Sequence, residues 1–321
     1  MSLTISEVFK VHKFIKKFLP KTPLYKSLLL SEFFDVDIFV KYENHGPISS
    51  FKARSALPAV NALDKKYKEK GIITASSGNF GQGVAFAGRE LGVDVIVYVP
   101  ENANQDKVAG IKALGAQIIV TGKDSDEAKE TGKNIAKQQD KYFLEDGRDI
   151  AIVKGTGTIA LEIFEDLQDP DIIIVPVGNG ALINGIGFVA KQFKPDVKII
   201  GVGALGAPAM YLSWKENKFI KTKSIDTSIE GISIRVPVEP ALELMQRTVD
   251  DMLQLTDEEI FKAVVLLFEM THNMAEPAGA AALAGALKIK NSLKGKKVVL
   301  ILSGGNITFE RLNFILKSYS D

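Results

Sequence analysis

The chain has 321 residues, of which 46% are hydrophobic and 25% are charged, and its formal net charge is +1. This composition is typical of a globular protein with enough apolar material for one large domain or two interlocked ones. The near-neutral charge gives no electrostatic reason to expect nucleic acid or an anionic membrane surface as a partner. No apolar run is long enough to span a bilayer.

The sequence contains no cysteine, which excludes disulfides, thiolate metal sites and thiol catalysis. Its histidines lie far apart, at positions 12, 45 and 272, so a histidine metal site is not expected. The first segment, MSLTISEVFKVHKFIKKF, has the spacing of an amphipathic helix rather than the apolar core of a signal peptide. We therefore expect a cytoplasmic protein.

An unusual lysine stands at the start of a predicted helix in GPISSFKARSALPAVNAL, residues 46–63. Ser49 or Ser50 is predicted as the N-cap, and the helix is predicted from Phe51 onward. Lys52 then lies in the first turn, where the helix macrodipole disfavours an ammonium group. This position indicates a lysine that works as a free amine.

From about residue 71 the sequence alternates short β-branched strands with helical segments. The predicted strands are GIITA, VDVIVYVP, AQIIV, DIIIVPVG, VKIIGVG and KKVVLILSGG, and a long polar helix is predicted around residues 124–140. This alternation predicts parallel sheets with helices on both faces. We predict an α/β protein of two open twisted sheet domains with a cleft between them. Residues 71–146 form the small domain, and residues 1–70 and 147–321 form the large one.

Glycine-rich turns occupy four strand-to-helix junctions: NHGPISSFK, ASSGNFGQG, PVGNGALING and LSGGN. Parallel sheets gather ligands at the carboxyl ends of their strands, where such turns fall. Gly178, Asn179 and Gly180 precede a predicted helix and suit a phosphate. Ile183 replaces the third Rossmann glycine, and the residue after Gly185 is not the lysine of a P-loop. A purely structural turn explains this segment equally well when it is taken alone.

The turn SSGN, residues 76–79, suits a small carboxylate, because hydroxyls, backbone amides and a carboxamide converge at a helix N-terminus. An ordinary N-cap is the simpler alternative. Ser303 ends a predicted buried strand, where its hydroxyl needs a partner, which a nearby backbone group could also supply. A free amine together with a phosphate cradle indicates a Schiff base to a phosphorylated aldehyde, pyridoxal phosphate.

The motifs SFKAR, SSGNFGQG, PVGNGAL and SGGN, in this order and spacing, resemble those of fold-type II pyridoxal-phosphate enzymes. Within that family the chain is similar to the serine/threonine dehydratase and serine racemase group, from about residue 20 to the carboxyl end. The resemblance implies the tryptophan synthase β-like fold, with the cofactor in the cleft between the domains. It also implies a homodimer or homotetramer.

Carried over by position, the resemblance assigns the cofactor contacts. It implies that Lys52 forms the Schiff base, that Phe51 lines the cofactor and that Asn79 bonds the pyridoxal 3-oxygen. Ser303 would face the pyridine nitrogen, where a neutral hydroxyl favours β-elimination over transamination. The phosphate would be bound by consecutive backbone amides, those of Gly178, Asn179, Gly180, Ala181 and Leu182.

The implied reaction is β-elimination from a hydroxy amino acid, L-threonine or L-serine, which yields a 2-oxo acid and ammonia. Lys52 would remove the α-proton. Ser77 matches the position that acts on the opposite face in the racemases of the group. The substrate carboxylate would be bound by the turn SSGN, residues 76–79, which we call the receptor turn, and by the residue after it. These residues are Ser76, Ser77, Gly78, Asn79 and Phe80.

Two other readings are open. Within the same cofactor class, the chain could be an amino-acid racemase or a threonine synthase, although no cationic cluster for a substrate phosphate is found near the motifs. In a different class, it could be a non-catalytic paralogue that acts as a binding or regulatory protein.

The sequence departs from the group's pattern at several positions. Phe80 replaces the usual histidine, Ile48 and Ser49 replace a Thr-Gly pair, and Asn179 and Ala181 replace glycines of the phosphate loop. Phe80 removes a polar group and adds apolar area, so the preferred substrate side chain could differ from that of threonine.

No bound metal is expected. Members of the group often bind a divalent cation through acidic residues just after the strand that corresponds to KIIGVG. Here Gly203 and Leu205 stand in that stretch, and it carries no carboxylate.

Overall fold

The computed structural model describes residues 3–319. Its strands, in chain order, are β1 Leu24–Lys26, β2 Asp37–Tyr42, β3 Ile72–Ala75, β4 Val95–Val99, β5 Gln117–Val120, β6 Tyr142–Phe143, β7 Ile172–Pro176, β8 Lys198–Ala204, β9 Asp251–Leu255 and β10 Lys297–Leu302. Its helices are α1 Ile5–Ile15, α2 Leu28–Phe34, α3 Lys52–Asn61, α4 Lys65–Lys70, α5 Asn79–Leu91, α6 Gln105–Ala113, α7 Ser125–Gln138, α8 Ile150–Asp166, α9 Ala181–Phe193, α10 Ala209–Lys215, α11 Glu239–Thr248, α12 Asp257–Thr271, α13 Pro277–Lys288 and α14 Phe309–Tyr319.

Contacts divide the chain into two compact units, one of residues 1–20 and 51–155 and one of residues 21–50 and 156–321. The first, smaller unit contains a four-stranded sheet in the order β5-β4-β3-β6, and all of its strand pairs are parallel. Helix α7 covers one face, where Ala136 joins Ile73 and Tyr98 in a buried cluster. The β-branched residues of β3 and β4 favour the extended backbone and fill this core.

The second, larger unit contains a six-stranded sheet in the order β1-β2-β10-β7-β8-β9. The edge strand β1 pairs antiparallel with β2, and the strands β2, β10, β7, β8 and β9 run parallel to one another. The central strands read IIIVP and VVLIL, continuous apolar runs of buried residues that fit a sheet covered on both faces. Helix α13 packs on this sheet with a buried run of alanine and glycine, which lets its backbone lie close to the strands.

The predicted fold class is confirmed: the protein is α/β, with two sheets covered by helices. The six strands predicted from the sequence are confirmed as β3, β4, β5, β7, β8 and β10, and the long polar helix is α7. Strands β1, β2, β6 and β9 were not predicted. No helix among residues 3–319 is both long enough and apolar enough to cross a membrane.

The predicted domain boundaries differ from the contact-based ones. The sequence placed residues 1–70 with the large domain, whereas the structure groups residues 1–20 and 51–70 with the smaller unit. The physical reason is helix packing, because α3 lies against α5 and α1 lies against α3. At the other end of the small domain, the boundary falls within α8 rather than at residue 146.

A fully buried ion pair lies within the larger unit. Lys41 of β2 is completely buried, and its Nζ donates to Glu162 Oε2 and to the Thr22 carbonyl, both at 2.7 Å. Thr22 Oγ1 donates in turn to Glu43 Oε1 at 2.6 Å. Buried charges are tolerated only when they are paired and hydrogen-bonded in this way. The pair therefore ties β1 and β2 to α8.

Lys41→Met should strongly destabilise the protein, because it leaves the Glu162 carboxylate buried without its cation. We expect the free energy of unfolding in urea to fall by about 3–5 kcal/mol. The matched control is Lys262→Met, which breaks an exposed pair with Glu258 at 2.7 Å. The control should change stability by no more than about 0.5 kcal/mol, and equal effects of the two variants would contradict this account.

The pH dependence of stability should show a contribution from Asp171, which precedes β7. Its Oδ2 accepts from the backbone N–H of Lys297 at 2.8 Å, and this bond lowers the pKa of the Asp171 carboxyl below its usual 3.8. A carboxyl with a depressed pKa stabilises the fold above its unfolded value and ceases to do so as pH falls through the folded value. Asp171→Asn should therefore cost about 1 kcal/mol near neutral pH. The difference from wild type in urea unfolding should shrink toward zero in acid, and a difference that stays constant would contradict the assignment.

Candidate active site

Lys52 lies in the first turn of α3, as predicted, although the helix begins at Lys52 rather than at Phe51, and its side chain is 13% exposed. Its Nζ lies 2.5 Å from Asp146 Oδ2, within the smaller unit. The same Nζ lies 4.7 Å from the centroid of the Phe51 ring and 5.5 Å from that of the Phe80 ring. A carboxylate and two aromatic rings thus surround the amine.

The predicted N-cap at Ser49 or Ser50 is wrong. The N-cap of α3 is Phe51, and no side-chain hydrogen bond caps this helix. Ser49 instead has a positive φ of 50°, and Ser50 bridges to Gly304. A left-handed φ is one that glycine adopts most easily, and it prevents Ser49 from acting as a cap, which needs extended backbone.

The segment that leads into Lys52 is anchored within the larger unit. Gly305 N donates to the Ser49 carbonyl at 2.9 Å, and Asn306 Nδ2 donates to the Ile48 carbonyl at 2.8 Å. Ile48 is itself buried. The loop SGGN therefore fixes the backbone immediately before the lysine motif.

The predicted carboxylate receptor follows β3 in the smaller unit. Residues 76–79 are half-buried, Gly78 is the N-cap of α5, and the helix begins at Asn79. No side-chain hydrogen bond caps α5, and Ser76 Oγ accepts instead from Gly78 N at 3.3 Å. This N-terminus of a 13-residue helix presents amides and a dipole suited to an anion.

Phe80 is buried, with 4% of its surface exposed. It stands in the first turn of α5, and its ring lies near the Lys52 amine. Phe80 thus adds an apolar surface beside the Lys52 amine, in the first turn after the predicted carboxylate receptor.

Gly83 sets how closely α3 and α5 approach each other. A Cβ on this residue would lie 2.7 Å from the Lys52 carbonyl oxygen and 3.1 Å from the Lys52 Cβ. Only glycine permits that spacing. The third glycine of SSGNFGQG therefore fixes the position of Lys52 relative to the receptor turn.

The predicted phosphate loop follows β7 in the larger unit, and α9 begins at Ala181. Gly180 has a φ of 89°, which a side chain would strain. Neither Asn179 nor Ala181 has a positive φ, so these two departures from the glycine pattern carry no backbone cost. Asn179 Oδ1 accepts from Ala181 N at 3.1 Å, which orders the turn.

Ser303 follows β10 directly and is buried, with 5% of its surface exposed. Strands β10 and β7 are parallel neighbours in the larger sheet, with Leu300 paired to Ile174. The carboxyl ends of adjacent parallel strands meet at one edge. The fold therefore brings Ser303 and the loop 178–182 to the same edge of that sheet.

The predicted site residues fall into two sets. Lys52, Phe51 and the receptor residues 76–80 lie in the smaller unit, whereas the loop 178–182 and Ser303 lie in the larger one. Asp146 was not predicted, although it contacts the lysine amine. Its neighbour Gly147 and the charged run EDGRD suggest only a solvated turn, so no sequence signal marks it.

The residues present fit pyridoxal phosphate. The smaller unit supplies a half-buried primary amine, the group that an aldehyde needs. The larger unit supplies a helix N-terminus on a tight cradle, where a Cβ on Gly178 would lie 2.7 Å from the Gly231 carbonyl oxygen. No group of three or more acidic or histidine side chains within residues 3–319 could hold a metal ion.

The chain belongs to the pyridoxal-phosphate dependent enzymes, whose family profile matches residues 15–304. It is 34% identical over 314 residues to the L-threonine ammonia-lyase of Thermotoga maritima, covering 98% of this chain and 78% of that protein. Its structure is similar to the processed form of threonine deaminase isoform 2 from Solanum lycopersicum, with a TM-score of 0.92, 31% identity and coverage of 98% and 94%. Maize serine racemase has the same TM-score of 0.92 at 26% identity, with coverage of 100% and 98%.

Gly83→Ala should disturb the lysine, because the added methyl group cannot fit against the Lys52 backbone. We expect a loss of about 1–3 kcal/mol in the free energy of unfolding, together with weaker binding of added pyridoxal phosphate. The matched control is Gly110→Ala in α6, whose Cβ would meet only the Gln82 side chain, at 3.6 Å. The control should be neutral or stabilising, since alanine is the better helix former. Equal losses in both variants would show that the close contact at Gly83 is unimportant.

Proposed function

We propose that this protein is an ammonia-lyase that dehydrates L-threonine or L-serine to a 2-oxo acid and ammonia. The observation that carries the proposal is the Lys52 amine, which lies near two aromatic rings at the start of a helix that packs against α5. The threonine ammonia-lyase and threonine deaminase among its relatives support the same reaction.

The proposed cofactor contacts use residues of both sets. Lys52 would hold the cofactor through its aldehyde, Phe51 would line the ring, Asn79 would bond the 3-oxygen and Ser303 would face the pyridine nitrogen. When bound, pyridoxal phosphate supplies an electron sink for the α-carbon of an attached amino acid. The phosphate is bound by the amides of the loop already described: Gly178, Asn179, Gly180, Ala181 and Leu182.

The substrate carboxylate is bound at the N-terminus of α5 by Ser76, Ser77, Gly78 and Asn79. The first-turn amides and the helix dipole favour an anion there. Phe80 supplies an apolar wall beside the lysine, which suits a small substrate side chain such as the methyl group of threonine.

Lys52 carries the proton transfer. Once the substrate has displaced it, its free amine takes the proton from the α-carbon. The α-carbon–hydrogen and β-carbon–oxygen bonds break, and a carbon–carbon double bond forms. The departing hydroxide takes one proton and leaves as water, so the protons balance. Water then hydrolyses the released enamine to the 2-oxo acid and ammonia.

Racemisation is the second candidate activity. Ser77 sits at the receptor turn, at the position that acts on the opposite face in the racemases of the group, and the structure is similar to that of maize serine racemase. A serine hydroxyl that returns a proton to the opposite face of the α-carbon would invert the amino acid instead of eliminating water.

We also propose a homo-oligomer, a dimer or tetramer, that works in the cytoplasm. Large apolar side chains exposed on the larger unit support an interface: Leu28 is 76% exposed and Phe309 is 85% exposed.

The proposed reaction is tested by measuring 2-oxo acid release from L-threonine, L-serine, their D-isomers and 3-hydroxyaspartate. We expect release from an L-hydroxy amino acid, and Lys52→Ala should lower kcat by at least about a thousandfold, because it removes the nucleophile and base. It should also abolish the visible absorbance of lysine-linked pyridoxal. The matched control, Lys262→Ala, removes an exposed lysine and should leave both unchanged.

The same reactions decide between the candidate activities. No 2-oxo acid from any of the amino acids, with the cofactor bound, would overturn the dehydratase proposal. Chiral analysis of the remaining amino acid detects racemisation, and D-serine formed from L-serine faster than pyruvate would favour the second candidate.

A further inference from the structure

Asp146 places a carboxylate on the Lys52 amine, and the predicted reaction gives it no role. Its Oδ2 lies 2.5 Å from Lys52 Nζ, and its side chain is 25% exposed. Its other oxygen, Oδ1, is buried and has no hydrogen-bond partner within residues 3–319. A buried carboxylate oxygen without a partner is costly, so this side chain depends on a cation beside it.

The sheet of the smaller unit brings Asp146 to the receptor turn. Strands β3 and β6 are parallel, with Ile73 paired to Phe143. Ser76, the first residue of the receptor turn, and Asp146 each follow this pair by three residues and lie beyond the ends of the two strands. Carboxyl ends of parallel neighbours lie at one edge, so the carboxylate is at the edge where the substrate would bind.

The adjacent carboxylate cannot take the place of Asp146. Glu145 bonds Lys129 at 2.5 Å and Lys133 at 2.9 Å. Although burial opposes it, hydrogen bonding by these two lysines lowers the pKa of Glu145. Two consecutive acidic residues therefore serve different cations, Glu145 the lysines of α7 and Asp146 the lysine at the start of α3.

We propose that Asp146 is a positioning residue that holds the ammonium form of Lys52 at the receptor turn. The inference rests on the proposed role of Lys52. When the amine takes the α-proton, a new N–H bond forms on Nζ, and the electron pair of the broken C–H bond stays with the substrate and expels hydroxide. The ammonium is then a donor to Asp146 Oδ2 and lies against the Phe51 and Phe80 rings, whose faces also attract a cation. It returns its proton to the hydroxide, which leaves as water.

The pairing is tested on the full-length chain after the cofactor has been removed with hydroxylamine. Lys52 is labelled by reductive methylation with formaldehyde and cyanoborohydride at one mildly alkaline pH. The rate of Lys52 methylation is measured by peptide mass spectrometry. Asp146→Asn removes the carboxylate that engages the Lys52 nitrogen, so Lys52 should be labelled roughly five- to tenfold faster. Asp146→Glu should restore most of the protection. An Asp146→Asn variant labelled at the wild-type rate would overturn the proposal.

Glu145→Gln is the matched control, an isosteric change one residue away. It should accelerate labelling of Lys129 and Lys133 while leaving Lys52 at the wild-type rate. Circular dichroism verifies folding, and Asp146→Ser provides a second variant with a smaller side chain if the asparagine variant does not fold. Accelerated Lys52 labelling in the control would show a general loosening and would count against the specific pair.

The positioning role is tested separately in the holoenzyme. Asp146→Asn should lower kcat by about tenfold with little change in KM and with the absorbance of the bound cofactor retained. An unchanged kcat would overturn the role in the reaction. The labelling experiment needs no turnover. A protein that shows the expected labelling but releases no 2-oxo acid would therefore refute the proposed function without refuting the pairing.

Discussion

Parallel pairing of β2, β10, β7 and β8 is the constraint on which the larger unit depends. Because neighbouring strands point the same way, their carboxyl ends lie at one edge, and every glycine-rich turn of this unit follows one of those ends. Helices packed on this sheet bury its central strands. Lys41, within β2, therefore has no route to water and needs Glu162 as its partner. The common edge of the glycine-rich turns and the need for the Lys41–Glu162 ion pair thus both follow from the covered parallel sheet.

In the smaller unit the same rule acts on fewer strands. The β3–β6 pairing brings the receptor turn and Asp146 together, although 70 residues separate their positions in the chain. Lys52 reaches this edge by a different route, through the packing of α3 on α5. Gly83 permits that contact, since no side chain could fit between the two backbones. A strand register and a helix contact thus determine the surroundings of one amine.

The long strands were predictable because their chemistry is local. IIIVP and VVLIL are continuous apolar runs, and α7 follows Asp124, a clear N-cap whose side chain accepts from the helix N-terminus. Strand β2 was missed because DIFVKY includes a lysine that becomes acceptable only once Glu162 lies beside it. Strands β1 and β6 have three and two residues, too few to show a period.

The site was predictable in its motifs and not in its contacts. The glycine-rich turns can be recognised from spacing, whereas the left-handed φ of Ser49 depends on the bonds that the loop SGGN makes to the backbone there. The contact between Lys52 and Asp146 spans 94 residues and follows from register and helix packing together. No local pattern could reveal it, because EDGRD is also an ordinary charged turn.

The position of Lys52 at a helix N-terminus indicated an amine, because the macrodipole opposes an ammonium by about 0.3–1 kcal/mol. The structure adds a larger effect of the opposite sign, since a charge-assisted bond in a half-buried setting contributes about 1.5–3 kcal/mol. The carboxylate is therefore the stronger of the two local electrostatic influences on the Lys52 nitrogen. A lysine that must form a covalent bond and later take a proton acts first as a neutral amine and then as an ammonium. The dipole favours the amine that reacts, and Asp146 is placed to accept a hydrogen bond from the ammonium that results.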